Sequence, residues 1–150
     1  MCALLLASVP ACRSTTAPSI GRWREAGRSF STLAGSFIEG AASVTGAIEL
    51  ALRKGDFSQI SETTAPQLSL LSDTIATMRE LADEVHPDLI AIAEHIVVVA
   101  VEWVDAAGQA IASGISGDLA AFDVQTTRMR QARSELETSV KSWNTAIEAA

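Results

Sequence analysis

The sequence predicts an all-α protein, an antiparallel up-down-up-down four-helix bundle, and three observations carry that expectation. Apolar residues make up 48% of the chain while aromatics are only 5% and Tyr is absent. A core drawn mainly from Ala, Leu, Ile and Val suits close-packed helices better than a sandwich of cross-strand aromatic and β-branched pairs. Apolar residues also recur at helical spacing through most of the chain, and turn signals fall at the few places where helical hairpins need them. At 150 residues the chain has the length of one domain.

The first element is a leader. Residues 1–12 read MCALLLASVPAC, an apolar run too short to cross a bilayer as a helix. Val9, Ala11 and Cys12 form an aliphatic, small and cysteine pattern that resembles the lipobox of bacterial lipoproteins. That resemblance implies lipidation and cleavage at Cys12, a signal whose basic beginning precedes the given start, and a lipid-anchored, extracytoplasmic protein of the cell envelope. A plain secretory leader cleaved after Ala11, or an uncleaved apolar segment, are the other readings of the same residues. Residues 13–18, polar and without periodicity, read as a tether. No Cys follows Cys12, so a mature chain has no internal disulfide.

Helix one is expected over 19–54. Trp23, Phe30, Phe37 and Val44 recur every seventh residue, with Gly27, Ala34, Ala41 and Ile48 completing a heptad seam. Arg53-Lys54-Gly55-Asp56 then supplies last-turn bases, a glycine for the left-handed position and an Asp to cap the next helix, with Gln59 closing a capping box. Helix two, over 57–85, offers Phe57, Leu71, Met78 and Val85 with Leu68, Ile75 and Ala82. Thr64-Ala65-Pro66-Gln67 is a second capping box, so helix two should be kinked or broken near Pro66.

Pro87 ends helix two at His86 and opens helix three, over 87–113. Helix three is apolar around most of its circumference, with a thin polar stripe of Asp88, His95, Glu102 and Gln109. It should be the most buried helix or the one that meets a partner. Ala93, Ala100, Ala107 and Gly114 give it a row of small residues, matched by Gly27, Ala34 and Ala41 on helix one. Helix four, over 118–149, follows a second Gly-Asp turn at Gly117-Asp118 and carries Phe122, Met129, Leu136 and Trp143 beside Leu119, Val140 and Ile147. Arg133 and Thr126 interrupt its seam. They either line a polar gap or turn outward with Ala132 in their place.

Charge is distributed unevenly. Residues 1–54 hold six bases and three acids, residues 55–127 hold twelve acids and Arg79 alone, and residues 128–150 hold four bases and three acids. The acidic middle would repel phosphates, which excludes nucleic acid as its partner, while a cationic partner would fit. The other reading is a solvated acidic face.

The motifs of catalysis are missing. There is no nucleophile-elbow Ser, no phosphate-binding glycine loop, no haem attachment motif and no Glu-x-x-His pair of the di-iron kind, so no cofactor and no enzyme are expected. Glu80, Asp83, Glu84, His86 and Asp88 crowd one turn as weak candidates for a metal, with ion pairing to Arg22, Arg24 and Arg28 as the structural alternative. Trp23 and Trp143 should share a layer at the anchor end. The expected function is therefore a non-catalytic interaction or scaffold protein, with a protein or other envelope component as partner. The alternative is a carrier or sensor of a small apolar ligand held between the helices by Arg133, Thr126, Trp23 and Trp143.

Overall fold

A computed structural model describes residues 20–149. The leader, the proposed lipid site at Cys12 and the tether lie outside the described residues. Within them the chain is four helices: α1 (Ile20–Lys54), α2 (Ile60–Ala82), α3 (Ile90–Ser116) and α4 (Leu119–Ala149), with one turn of 3-10 helix at Pro87–Leu89 before α3. There is no strand among the described residues.

The heptad seams become the core. Phe30, Ala34, Phe37, Ala41, Val44 and Ile48 of α1 are buried, as are Leu71, Ile75, Met78 and Ala82 of α2 and Phe122, Met129, Leu136, Val140 and Trp143 of α4. In α3 the small residues Ala93, Ala100 and Ala107 are fully enclosed beside Ile96 and Trp103. Arg133 turns to the flank of α4 and Ala132 takes the inward place, so the seam closes without a polar gap. Leu119 departs from its seam: as the first residue of α4 it is 65% exposed, because the helix has no neighbouring turn to cover it.

Two turns share one design. At the end of α1, the Gly55 N–H donates to Leu52 O and the Asp56 N–H to Ala51 O; at the end of α3, the Gly117 N–H donates to Gly114 O and the Asp118 N–H to Ser113 O. Both glycines are left-handed, with φ of 65° and 76°, the geometry that glycine adopts at least cost when it terminates a helix. The two aspartates then diverge. Asp118 Oδ1 accepts the Ala121 N–H at 3.0 Å and caps α4, whereas Asp56 Oδ1 accepts the Ser58 N–H at 2.9 Å and closes only a local turn. That hydrogen bond, first among its causes, holds the Asp56 carboxyl below its ordinary value. Phe57 is not helical either. It packs on Gly114, where an added Cβ would lie 2.5 Å from its ring, and edge-on to Phe122 at 5.4 Å. Drawing Phe57 into the core delays α2 to Ile60, three residues later than expected, and Gln59 makes no side-chain cap.

The second expected capping box does not form. Thr64 is buried inside α2 and its hydroxyl donates to Ile60 O, four residues back, at 2.7 Å. The helix is continuous from Ile60 to Ala82 with Pro66 in its interior, so the chain does not break there. Its other end comes at Ala82 rather than residue 85. His86, extended at ψ 137°, lets Pro87 open the 3-10 turn, and α3 proper starts at Ile90. At its C-terminus α3 runs on to Ser116, beyond the expected 113, because Gly114 is a packing site under Phe57 and the stop falls at Gly117.

Each of α1 and α3 packs against both α2 and α4, whereas α2 and α4 do not touch. α1 and α3 also meet, with Phe37 set edge-on to Trp103 at 6.0 Å. The cross-section is thus a rhombus whose short diagonal joins the two helices that carry rows of small residues. Glycine also lets neighbours close in on α1 elsewhere: a Cβ at Gly40 would come within 2.8 Å of Leu71, and one at Gly27 would strike Ile147.

Candidate functional site

The residues singled out for a ligand pocket do not converge. Trp143 is fully buried; its ring lies 4.7 Å from that of Phe30, and its Nε1 donates to Ser31 Oγ at 2.7 Å. Ser31 in turn donates to Asn144 Oδ1 at 3.2 Å. Trp23 sits edge-on to His86, with ring centroids 4.8 Å apart, and borders a crevice of about 30 Å³, a volume comparable to that of one water molecule. Arg133 Nε donates to Glu137 Oε1 at 2.9 Å along its own helix. Only Thr126 borders a substantial cavity, and its hydroxyl donates to Asp123 O at 3.1 Å.

The acidic turn after α2 does not assemble a metal centre. Among the described residues no three His, Cys, Asp or Glu side chains gather closely enough to hold an ion, so Glu80, Glu84, His86 and Asp88 do not form a ligand set. His86 Nδ1 instead accepts the Asp88 N–H at 3.3 Å and caps the 3-10 turn. Among the described residues no ion pair joins Arg22, Arg24 or Arg28 to an acid. The polar stripe of α3 faces water and reaches α4. His95 Nε2 lies 3.1 Å from Glu135, and Arg128 lies 3.8 Å from Glu102 and 3.6 Å from Asp105, which also accepts from Gln109. These half-exposed pairs each contribute at most about 1 kcal/mol, so the stripe trims the α3 and α4 seam.

The feature best suited to binding is a groove of about 390 Å³ between the end of α1 and the start of α4. Its apolar wall is formed by Ile48 and Leu52 of α1 and by Leu119, Phe122 and Met129 of α4. Thr45, Glu49, Asp123, Thr126 and Arg130 complete its polar border. Leu52 is 48% exposed and Leu119 65%, so apolar surface is available to an incoming group. The groove follows from two sequence features. The bases and glycine that stop α1 leave Leu52 in its last turn without cover, and the Gly117-Asp118 stop brings Leu119 to the opposite lip. The volume lies within the range of small-molecule sites, which typically combine apolar walls with a few polar groups. Sequence periodicity identified Ile48, Phe122 and Met129 as core residues, but gave no sign that the helices part beside them.

Among the described residues no helix is long and apolar enough to cross a membrane. No protein-family model matches the chain, and comparison with curated proteins and with solved structures finds no match.

Proposed function

We infer that this chain is a non-catalytic binding protein that receives a small apolar ligand in the α1/α4 groove. The observation that carries the reading is the groove itself, an open apolar trough of about 390 Å³ with a polar border. It favours the carrier or sensor reading over a scaffold that works only through protein contacts, and it moves the ligand from an enclosed centre to an open groove. Exposed Val98 and Val101 on α3 support the second reading, an interaction module. Lipidation at Cys12 and an extracytoplasmic, membrane-anchored location belong to the same proposal, and their support is the leader sequence alone.

The proposal includes an antiparallel up-down-up-down topology. In its favour, Gly27 and Ser31 near the start of α1 lie beside Ile147 and Asn144 near the end of α4, while Ile48 and Leu52 share the groove with the first turns of α4. On that topology the groove opens at the end of the bundle away from the anchor. A kink in α2 at Pro66 is also part of the proposal, since the proline leaves Glu62 O without its helical donor.

The test is titration of the folded chain with decyl maltoside below its micellar range, followed by backbone amide NMR. Shifts confined to residues around Ile48, Leu52, Phe122 and Met129 are the expected result. A Leu52→Gln, Leu119→Gln double variant changes only exposed side chains and should weaken binding roughly tenfold, an effect of about 1.4 kcal/mol. Shifts spread over the surface, or none, would overturn the reading.

A further inference from the structure

We propose that the groove selects amphipathic cations, an aliphatic body carrying a single ammonium head. The proposal rests on the binding reading of the groove and adds the charge class of its ligand.

Complementarity carries the argument. Glu49 stands on the α1 side of the groove and Asp123 on the α4 side, so carboxylates border the apolar trough from both helices. Neither is engaged: among the described residues the ion pairs within 4.0 Å involve His86, His95, Arg128 and Arg133, and none includes Glu49 or Asp123. Arg53 follows Glu49 by one turn of α1 and Arg130 borders the groove, but neither lies within 4.0 Å of Glu49 or Asp123, so an arriving ammonium meets two carboxylates not held in an ion pair. Arg130 is the one base on the border, and it stands seven residues beyond Asp123 on α4, about 10 Å along the helix axis. That spacing separates Asp123 from Arg130, so the head group belongs toward Asp123, with Glu49 on the facing helix, and Arg130 opposes a second positive charge. The apolar body then rests on Ile48, Leu52, Phe122 and Met129, where each methylene removed from water adds about 0.8 kcal/mol. The chain as a whole carries a net charge of −7, which favours the approach of cations over anions.

Isothermal titration with three amphiphiles of equal tail length, decyltrimethylammonium, decyl maltoside and decyl sulfate, tests the selection. The cation should bind roughly tenfold more tightly than the neutral maltoside, a preference of about 1.4 kcal/mol, and the sulfate more weakly than either. A Glu49→Gln, Asp123→Asn double variant should lose that preference while still binding the maltoside. An Asp73→Asn, Glu80→Gln double variant, which removes the same charge from the exposed face of α2, should keep it and so separates the groove from the net charge of the chain. Equal affinity for all three amphiphiles, or the same loss in both double variants, would sink the cation proposal and leave the groove reading standing. Tighter binding of the sulfate would reassign the head-group site to Arg130. Absence of binding by every amphiphile would overturn both readings.

Discussion

Ser31 shows how much a single polar side chain can decide in a core of this kind. Trp143 is fully enclosed, and its indole N–H needs one acceptor, which Ser31 Oγ supplies at 2.7 Å while its own O–H donates to Asn144 Oδ1. A Ser31→Ala substitution removes only one exposed-side oxygen from α1 but leaves a buried donor unpaired, at a cost of about 1–3 kcal/mol. Urea denaturation should show that loss in the native background and almost none in a Trp143→Phe background, where the donor is already gone. An equal loss in both backgrounds would mean that Ser31 acts through helix packing. The seam position of Trp143 was legible in the heptads, because burial follows from period alone. Its partner was not, since a Ser on a helix flank reads as solvent-facing until the register between α1 and α4 is known. The same limit applied to Arg133 and Thr126: their interruption of the seam was visible, but only packing could show that Ala132 moves inward.

Among the helices, α2 departs furthest from its sequence pattern. Its apolar positions Leu71, Ile75, Met78 and Ala82 were readable from their spacing and are buried. Its boundaries were not, because both capping boxes compete with tertiary demands. Phe57 enters the core beneath Gly114, which turns Asp56 from a helix cap into a turn residue, and Thr64 bonds back to Ile60 O. Capping motifs describe what a backbone end can satisfy locally, and they cannot foresee a ring being drawn away by another helix. The continuous helix then holds Pro66 in its seventh position, where the Glu62 carbonyl loses its donor. A proline in a helix interior is disfavoured by about 3 kcal/mol relative to alanine, an upper bound here because proline also restrains the unfolded chain. Pro66→Ala should therefore raise stability by roughly 1–2 kcal/mol in chemical denaturation, with helical circular dichroism unchanged or slightly higher. A fall in stability would show that a Pro66 kink is required for α2 to meet its neighbours, and that its removal strains the packing around Leu71.

At the scale of the molecule, the flattened cross-section is the property from which the others follow. With α1 and α3 meeting at Phe37 and Trp103 and α2 and α4 apart, the centre of the bundle is filled by fully buried side chains of all four helices, among them Phe37, Met78, Trp103 and Leu136. Binding surface is displaced to the margin, where α1 and α4 part near their turn-bearing ends to form the groove. The close-packed core makes a sharp demand on volume. Ala100 is fully buried on α3, and Ala100→Leu would have to force the helices apart or take a poor rotamer, at a cost of about 1–3 kcal/mol. Helix propensity cannot explain such a loss, since Leu is close to Ala in a helix interior. Gly108 supplies the contrast: it lies on the same helix with nothing within 4 Å of an added Cβ, so Gly108→Ala should stabilise by about 0.5–1 kcal/mol through backbone entropy. Opposite signs for the two variants, read as urea midpoints at equal slope, are what a close-packed core around Ala100 requires. Were Ala100→Leu neutral, the core around α3 could accept added volume, and the ligand would belong in the centre of the bundle and not in the α1/α4 groove.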